Sequence, residues 1–125
     1  MDKKYTGLIY CLECEIHKDN GKIIRHKFKG RKERNNINYR CNYRLKYGKD
    51  KCVNDTMLEE SYIDSLIRQQ LEVIDMKIDT VDVLSVIDRI EVSKTRIEIF
   101  FKNLPIKSCY FDIKLGQLHY DTLNY

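Results

Sequence analysis

The sequence predicts an α+β fold, in which a β-ribbon hairpin is followed by an amphipathic helix and a small antiparallel sheet. Residues 22–29 and 37–44 alternate apolar and polar side chains, which is the period of a strand with two different faces. Residues 56–74 repeat apolar side chains at the spacing of a helix with one buried face. One proline and five glycines in 125 residues are typical of a single globular unit.

The cysteine spacing predicts a metal site. Cys11 and Cys14 form a C-x2-C knuckle, and ten residues separate Cys41 from Cys52. Because the N-terminus has no apolar secretory signal, this spacing is more typical of zinc than of a disulfide framework. Four thiolates would close the tetrahedral shell of one Zn²⁺ and leave no open position, so the predicted zinc ion is structural. We expect its removal to unfold residues 1–54, whose apolar core is thin.

Three other interpretations of these cysteines remain open. They are unpaired thiols packed as small apolar groups, a redox-active C-x-x-C pair, and a Cys3His site that uses His17. The fifth cysteine, Cys109, lies in an alternating, strand-like stretch and is expected to be a buried apolar residue. His26 and His119 lack the spacing of metal ligands.

The charge of the chain is divided between its two halves. Residues 1–54 carry 15 Lys and Arg against 6 Asp and Glu, whereas residues 55–125 carry 8 against 13. The basic half predicts a polyanionic partner. We therefore expect a basic zinc-ribbon half at 1–54 and a helix and β-hairpin scaffold at 55–125, packed together as one zinc domain. No apolar run approaches the roughly 20 residues of a membrane span, which predicts an intracellular protein without a membrane partner.

Turn and strand signals order the basic half. Residues 5–10 predict a short strand that enters the knuckle, and Asp19-Asn20-Gly21 predicts a turn. Residues 30–36 predict a polar, cationic connection between the strands at 22–29 and 37–44. The hairpin is therefore expected to have one apolar face, one cationic face and a basic tip.

In the acidic half, Asn54 or Asp55 is the predicted N-cap of the helix over residues 56–74. The apolar stripe of this helix predicts packing against the core. A second, short helix and three alternating strands are predicted over residues 80–87, 90–92, 97–101 and 106–114. The tail from Leu115 carries no clear pattern.

Motifs for catalysis are missing from the sequence. It contains no Gly-rich phosphate loop, no H-E-x-x-H and no G-x-S-x-G. The paired acids Glu59 and Glu60 stand at a predicted helix start, where carboxylates favour the helix dipole. We therefore expect a binding module and not an enzyme.

Five segments follow one another in an order that is found in a known family. Residues 5–14 read YTGLIYCLEC and residues 38–41 read NYRC, and later segments read LEE at 58–60, VIDRIEV at 86–92 and RIEIFFK at 96–102. This set resembles the recombinase zinc β-ribbon domain, the C-terminal DNA-binding domain of large serine recombinases and integrases. That family opens with GLLxCxxCG and continues with YYRC, a helix and a closing hairpin. The fourth family cysteine falls at the place of Cys52.

Three features differ from the family pattern. Glu15 follows the knuckle where the family has Gly. Residues 72–82 are too few for the long coiled coil that the family inserts after the helix, and the chain lacks the catalytic domain with its nucleophilic serine. The resemblance therefore implies the zinc-dependent DNA-binding part of a site-specific recombinase, from a phage integrase or a transposon, which does not itself cut DNA.

The resemblance implies that the hairpin enters the major groove of a duplex attachment site in the cytoplasm of a bacterial host. Lysines and arginines would neutralise phosphates, whereas Arg31, Arg34, Asn35 or Asn36 at the tip would reach base edges. Other recombinase subunits or a directionality factor are further expected partners. The residues expected near DNA are Arg25, Lys27, Lys29, Arg31, Lys32, Arg34, Asn35, Asn36 and Arg40.

Three alternatives to duplex binding remain open. They are a cationic face that is solvated without a partner in an otherwise ordinary domain, a stand-alone zinc-ribbon protein-docking module, and a ribbon that binds RNA. An RNA-binding ribbon needs an exposed aromatic platform on which bases stack, and the predicted hairpin lacks one.

Overall fold

A mixed sheet of eight strands forms the body of the molecule. The computed structural model describes residues 3–73, 82–113 and 117–122. In chain order the elements are β1 (Ile9–His17), β2 (Ile23–Glu33), β3 (Asn36–Cys41), α1 (Asn42–Tyr47), β4 (Leu58–Glu59), α2 (Glu60–Val73), α3 (Val83–Val86), β5 (Ile87–Val92), β6 (Arg96–Phe101), β7 (Ile106–Asp112) and β8 (Gln117–Thr122). The strand order is β4-β3-β2-β1-β5-β6-β7-β8. β1 and β5 are parallel and all other neighbours are antiparallel. The predicted α+β class is confirmed.

The turn between β1 and β2 is the one that the sequence predicts. Gly21 has a φ of 82°, and the Asn20 side-chain oxygen accepts a hydrogen bond from the Lys22 N–H at 3.0 Å. A left-handed residue next to an asparagine that bonds the backbone is typical of such a turn. β1 itself differs from its prediction, because it covers the whole C-x2-C knuckle, whereas the sequence predicts a strand only over residues 5–10.

The hairpin of β2 and β3 has a shorter tip than predicted. Residues 30–36 are not a loop, because β2 continues to Glu33, which pairs with Asn36 and leaves only Arg34 and Asn35 to turn. Arg34 has a φ of 56°, and a positive φ is required at the first position of such two-residue turns. Most cations predicted for a loop are therefore held by a strand ladder.

Helix α1 replaces the end of the predicted second hairpin strand. Pairing with β2 stops at Cys41, and the helix follows at once, where the sequence predicts a strand up to residue 44. Tyr43 and Tyr47 are four residues apart, so they lie on one face of this helix. A short alternation of apolar and polar residues that ends in Tyr43 is compatible with a strand and with a helix. The predicted strand up to residue 44 is wrong for this reason.

Helix α2 begins later than predicted. Leu58 and Glu59 form the edge strand β4, which pairs with β3, and the helix starts at Glu60. The predicted N-cap at Asn54 or Asp55 is therefore wrong. The Asn54 side chain is buried instead and makes hydrogen bonds outside the helix.

The acidic half follows its predicted pattern more closely. β5 and β6 form a hairpin, closed by a hydrogen bond from the Ser93 N–H to the Arg96 carbonyl at 2.8 Å. β7 confirms the third predicted strand, and α3 is a single turn within the predicted second helix. β8 lies in the tail, for which the sequence predicts nothing. The predicted elements also include residues 74, 80, 81 and 114, which lie outside the described residues.

One apolar core joins the two halves of the chain. Ile9, Ile90, Ile99 and Cys109 face one another across four neighbouring strands, and all are buried. Cys109 is 1% exposed, which confirms its predicted burial. The buried face of α2 is formed by Ile63, Leu66, Ile67, Gln70 and Leu71. Among the helices described, none combines the length and apolar composition that crossing a membrane requires.

Hydrogen bonds tie the segment before β1 to α2. The Tyr5 hydroxyl donates to Asp64, and the Tyr39 hydroxyl donates to Glu60 at 2.7 Å while it accepts from the Tyr5 N–H at 3.0 Å. Lys4 Nζ lies 3.1 Å from the Asp64 carboxylate. Burial and the neighbouring carboxylates raise the pKa of both phenols, so both remain donors at neutral pH.

Candidate metal centre and cationic hairpin face

Four cysteine sulfurs converge between β1, the end of β3 and the segment before β4. The Sγ atoms of Cys11 and Cys52 lie 3.6 Å apart, as do those of Cys14 and Cys41, and those of Cys41 and Cys52 lie 3.7 Å apart. All four sulfurs are within 4.8 Å of one another. Three of these cysteines are buried and Cys14 is partly exposed. The cluster predicted from the spacing is therefore present and can hold a metal ion.

The distances fit tetrahedral coordination by thiolates. With Zn–S bonds of about 2.3 Å, sulfurs at the corners of a tetrahedron lie about 3.8 Å apart. A disulfide needs about 2.05 Å between sulfurs, and all five cysteines are free. Four thiolates this close would repel one another. All four thiols therefore lose their protons together only when a cation lies between them.

A bulge in β1 brings the first two cysteines together. β1 pairs with β2 at Tyr10–Lys27 and next at Glu15–Arg25, so the residues from Cys11 to Cys14 lie opposite a single residue of β2. Extra residues in one strand bend it and aim side chains away from the ladder. Glu15 returns to the ladder directly after the bulge.

A closed loop brings the other two cysteines together. Cys41 ends β3, α1 follows, and the chain then turns at Gly48, which has a φ of 94°. The Cys52 N–H donates to the Gly48 carbonyl at 3.4 Å, and Arg44 Nη1 donates to the Cys52 carbonyl at 2.9 Å. The ten residues between Cys41 and Cys52 therefore form a compact loop that hydrogen bonds close.

Hydrogen bonds favour ionisation at one of the four thiols. Cys11 Sγ accepts from the Asn54 amide at 3.3 Å and from the Glu13 N–H at 3.4 Å. The Cys41 thiol, together with these donors, lowers the pKa of Cys11 to about 4, although burial acts in the opposite direction. The same shared proton raises the pKa of Cys41, and burial raises that of Cys14. These shifts favour the thiolate at Cys11 and the neutral thiol at Cys41 and Cys14.

The structure favours the four-cysteine set over the Cys3His alternative. The His17 side chain is 73% exposed, and its Nε2 lies 3.6 Å from the Glu15 carboxylate and not against the sulfurs. Cys109 lies on β7, outside the cluster. Convergence of four sulfurs also distinguishes the site from a redox pair, which needs only two.

β2 presents a row of cations on the sheet face opposite the core. Lys27, Lys29 and Arg31 are exposed, and they alternate with Phe28 and Gly30, which are buried. Alternate residues of a strand point to opposite faces, so the three cations share one face. The predicted cationic face is therefore present along this strand.

Two of the arginines expected near DNA are engaged with carboxylates. Arg25 Nη1 lies 3.2 Å from the Glu15 carboxylate, and Arg40 forms an ion pair with Glu33. Arg40 lies opposite Lys29 in the register and lowers the pKa of the Glu33 carboxyl through their hydrogen bond. These arginines border the cationic row with much of their charge neutralised.

The remaining residues expected near DNA fall at the tip or on the other face. Arg34 and Asn35 form the exposed turn, and Asn36 starts β3 beside it. Because alternate residues of a strand point to opposite faces, Lys32 lies on the face opposite the cationic row. Arg31, expected at the tip, lies within β2. The structure therefore corrects the expected positions of Arg31 and Lys32.

A cleft of about 310 Å³ borders the cationic row. It lies between the segment before β1 and β2, and its cations are Lys3, Lys27 and Lys29. Phe28 and Gly30 also line it. Positive charge therefore extends from the strand into a concave surface.

A stack of aromatic rings follows the hairpin, and the sequence reasoning missed it. The rings of His26 and Tyr43 are stacked with centroids 4.1 Å apart, and those of Tyr43 and Tyr47 are 4.9 Å apart. Tyr47 is 65% exposed. This exposed ring lies on α1, after the predicted hairpin, to which the expectation of a missing aromatic platform applied. The four-residue spacing of the two tyrosines was the available signal, once residues 42–47 are read as a helix.

No protein-family model, curated protein or solved structure matches this chain.

Proposed function

We propose that this chain is a zinc-stabilised module that binds duplex DNA through the cationic face of its hairpin. It would serve as the DNA-binding domain of a large serine site-specific recombinase that recognises an attachment site. The four thiols supply a complete shell for one structural Zn²⁺. The resemblance of the ribbon, helix and closing strands to that recombinase domain supports the same assignment.

The position of β2 between two cysteine-bearing strands carries the proposal. β1 and β3 flank β2 on either side, and both contribute to the cysteine cluster. A metal ion held by Cys11, Cys14 and Cys41 would therefore clamp the strand that displays Lys27 and Lys29. Holding cations in a fixed geometry before binding reduces the entropy that they lose on contact with a partner.

The contacts are proposed to divide into two kinds. Lys27 and Lys29 neutralise phosphates, because lysine is a point charge without a base-specific geometry. Arg34, Asn35 and Asn36 at the tip reach base edges, since arginine pairs with guanine and asparagine with adenine through two hydrogen bonds.

The metal is tested by native mass spectrometry and elemental analysis of the full chain. We expect one zinc per chain, no zinc in Cys41→Ala, and one zinc in Cys109→Ala, the matched control outside the cluster. Chelation is expected to remove the zinc and to unfold the protein, as measured by circular dichroism. A folded, metal-free wild-type chain would contradict the zinc assignment.

DNA binding is tested by fluorescence anisotropy with duplexes of mixed sequence over a range of salt concentrations. About six phosphate contacts give a log–log salt slope near −5. Lys27→Ala and Lys29→Ala are each expected to weaken all duplexes alike and to reduce the slope by about 1. Lys107→Ala, an exposed lysine on β7, is the matched control. A flat salt dependence, or equal effects of all three variants, would rule out the proposed face.

A further inference from the structure

The surface formed by α1 and the loop after it has an aromatic character that duplex binding does not use. The His26 and Tyr43 rings are stacked with 22° between their planes, and the Tyr47 ring packs against Tyr43 at a tilt of 50° and extends this stack outward. The outermost ring, that of Tyr47, is 65% exposed. His26 belongs to the face of β2 that is opposite Lys27 and Lys29, so this stack and the cationic row lie on different sides of the strand.

Three lysines lie within four residues of Tyr47 in the sequence. Lys46, Lys49 and Lys51 are all exposed, and within the described part of the chain none has a carboxylate within ion-pair distance. The only acid between residues 42 and 53 is Asp50. An open ring among unpaired ammonium groups matches a ligand that has a flat aromatic part and a phosphate.

The platform is held in place by its own loop. The Gly48 N–H donates to the Arg44 carbonyl at 2.8 Å, and the Lys51 N–H donates to the Gly48 carbonyl at 3.1 Å. The loop is closed at its base, where the sulfurs of Cys41 and Cys52 lie 3.7 Å apart. A loop whose backbone is closed before binding loses little freedom when a flat group stacks on its tyrosine.

We propose that Tyr47 is a stacking platform for an unpaired nucleobase of single-stranded DNA or RNA, with Lys46, Lys49 and Lys51 engaging the adjoining phosphates. This site is separate from the duplex-binding face and does not depend on it. Stacking on a protein ring tolerates every base, because each base has a π-face. Three phosphate contacts on a single strand give a log–log salt slope of about −2.

The test uses the zinc-loaded full chain with twelve-residue oligonucleotides of deoxythymidine and of uridine, which separate DNA from RNA. Tyr47→Ala is expected to weaken binding at least about 5-fold, whereas Tyr47→Phe retains it, since a ring-to-base stack contributes of the order of a five-fold change or more. Tyr62→Ala, at a half-exposed tyrosine on α2, is the matched control and leaves the affinity unchanged. An oligonucleotide of abasic sites is expected to bind with no dependence on Tyr47.

A second readout uses the absence of tryptophan from the chain. Tyr47→Trp creates the single tryptophan of the chain, whose fluorescence the deoxythymidine oligonucleotide is expected to quench, whereas the fluorescence of Tyr62→Trp is not quenched. The proposal would be overturned if Tyr47→Ala bound the oligonucleotides as tightly as the wild type, or if binding of the abasic oligonucleotide depended on Tyr47 to the same extent. It would also be overturned, in favour of a protein partner, if poly-glutamate bound with the same dependence on Tyr47. Duplex affinity is measured in parallel. If Lys27→Ala and Lys29→Ala lose duplex affinity but still bind single strands, the two sites are independent. The failure of one proposed site can then be distinguished from the failure of the other.

Discussion

The side-chain amide of Asn54 donates a hydrogen bond to Cys11 Sγ at 3.3 Å, and the same nitrogen donates to the Val92 carbonyl at 2.9 Å. Asn54 is 1% exposed, so both bonds are shielded from water. Val92 ends β5, in the acidic half, whereas Cys11 belongs to the knuckle of the basic half. One buried amide therefore connects the cysteine cluster to the strand that unites the two halves of the sheet.

Replacing Asn54 by alanine is expected to weaken zinc binding by about 10- to 100-fold, because groups that hydrogen-bond to metal ligands orient them and tune their basicity. Competition with a chromophoric chelator measures the change. Thr56→Ala is the matched control, since its hydroxyl bonds the Ser93 carbonyl at 3.2 Å in the same junction without touching a sulfur. Equal zinc affinities of the two variants would contradict a role for the amide at the metal.

Replacing Gln70 by an apolar residue is expected to stabilise the folded state. Its side chain is fully buried on the apolar face of α2, and neither its amide nitrogen nor its amide oxygen has a hydrogen-bond partner within the described structure. An unpaired buried polar group costs about 1–3 kcal/mol. Gln70→Leu, similar in size, should therefore raise the free energy of unfolding by about 1–3 kcal/mol in urea denaturation. The exposed neighbour Gln69→Leu should change it by less than about 0.5 kcal/mol, and equal effects would refute the argument.

The buried thiol of Cys109 is expected to make the folded state less stable at alkaline pH. Burial raises the pKa of its thiol from 9.0 to about 12, so the folded state favours the neutral form. This contribution is fully present below pH 9 and is lost as the pH rises from 9 towards 12. Between pH 8 and pH 10.5, the free energy of unfolding should fall less steeply in Cys109→Val than in the wild type. The raised pKa values of Tyr5 and Tyr39 affect both proteins alike, so parallel curves would show that Cys109 does not contribute.

The cysteine cluster was predictable because ligand spacing is a local property of the sequence. The C-x2-C knuckle on β1 and the second pair meet after the two turns that join β1, β2 and β3 and the loop between Cys41 and Cys52. The burial of Cys109 followed from alternation in the same way. The strands of the acidic half were also predicted well, since Ile90, Ile97 and Ile99 repeat with the period of a sheet that has one buried face.

The errors fall where two structures fit the same short pattern. Leu58 continues the helical stripe of α2, but pairing with Tyr39 places it in β4. The cations after Gly30 have the composition of a loop, yet the ladder with β3 extends the strand to Glu33. In each case a contact with a residue distant in sequence decides the structure, and the local sequence gives no information about that contact. The aromatic stack was missed for the same reason, because it requires the helix α1.

Gly30 is expected to be the least tolerant position of the hairpin. It pairs with Tyr39 across the ladder, and a Cβ built at Gly30 would lie 2.7 Å from Tyr39 Cε1. The ring cannot move aside without loss, since its hydroxyl bonds both Glu60 and the Tyr5 N–H. Overpacking of this kind costs about 1–3 kcal/mol. Gly30→Ala should therefore lower the free energy of unfolding by that amount, whereas Arg31→Ala, the next residue on the exposed face, changes it little.

A double-mutant cycle separates this clash from the intrinsic effect of alanine in a strand. In a Tyr39→Leu background the ring is gone, so the cost of Gly30→Ala should fall to less than half of its value in the wild type. The cycle is measured by urea denaturation of the zinc-loaded protein, which keeps the cysteine cluster constant. Equal costs in the two backgrounds would mean that Gly30 is needed for its backbone alone. The close approach of the Tyr39 ring would then not be the reason for a glycine at this position.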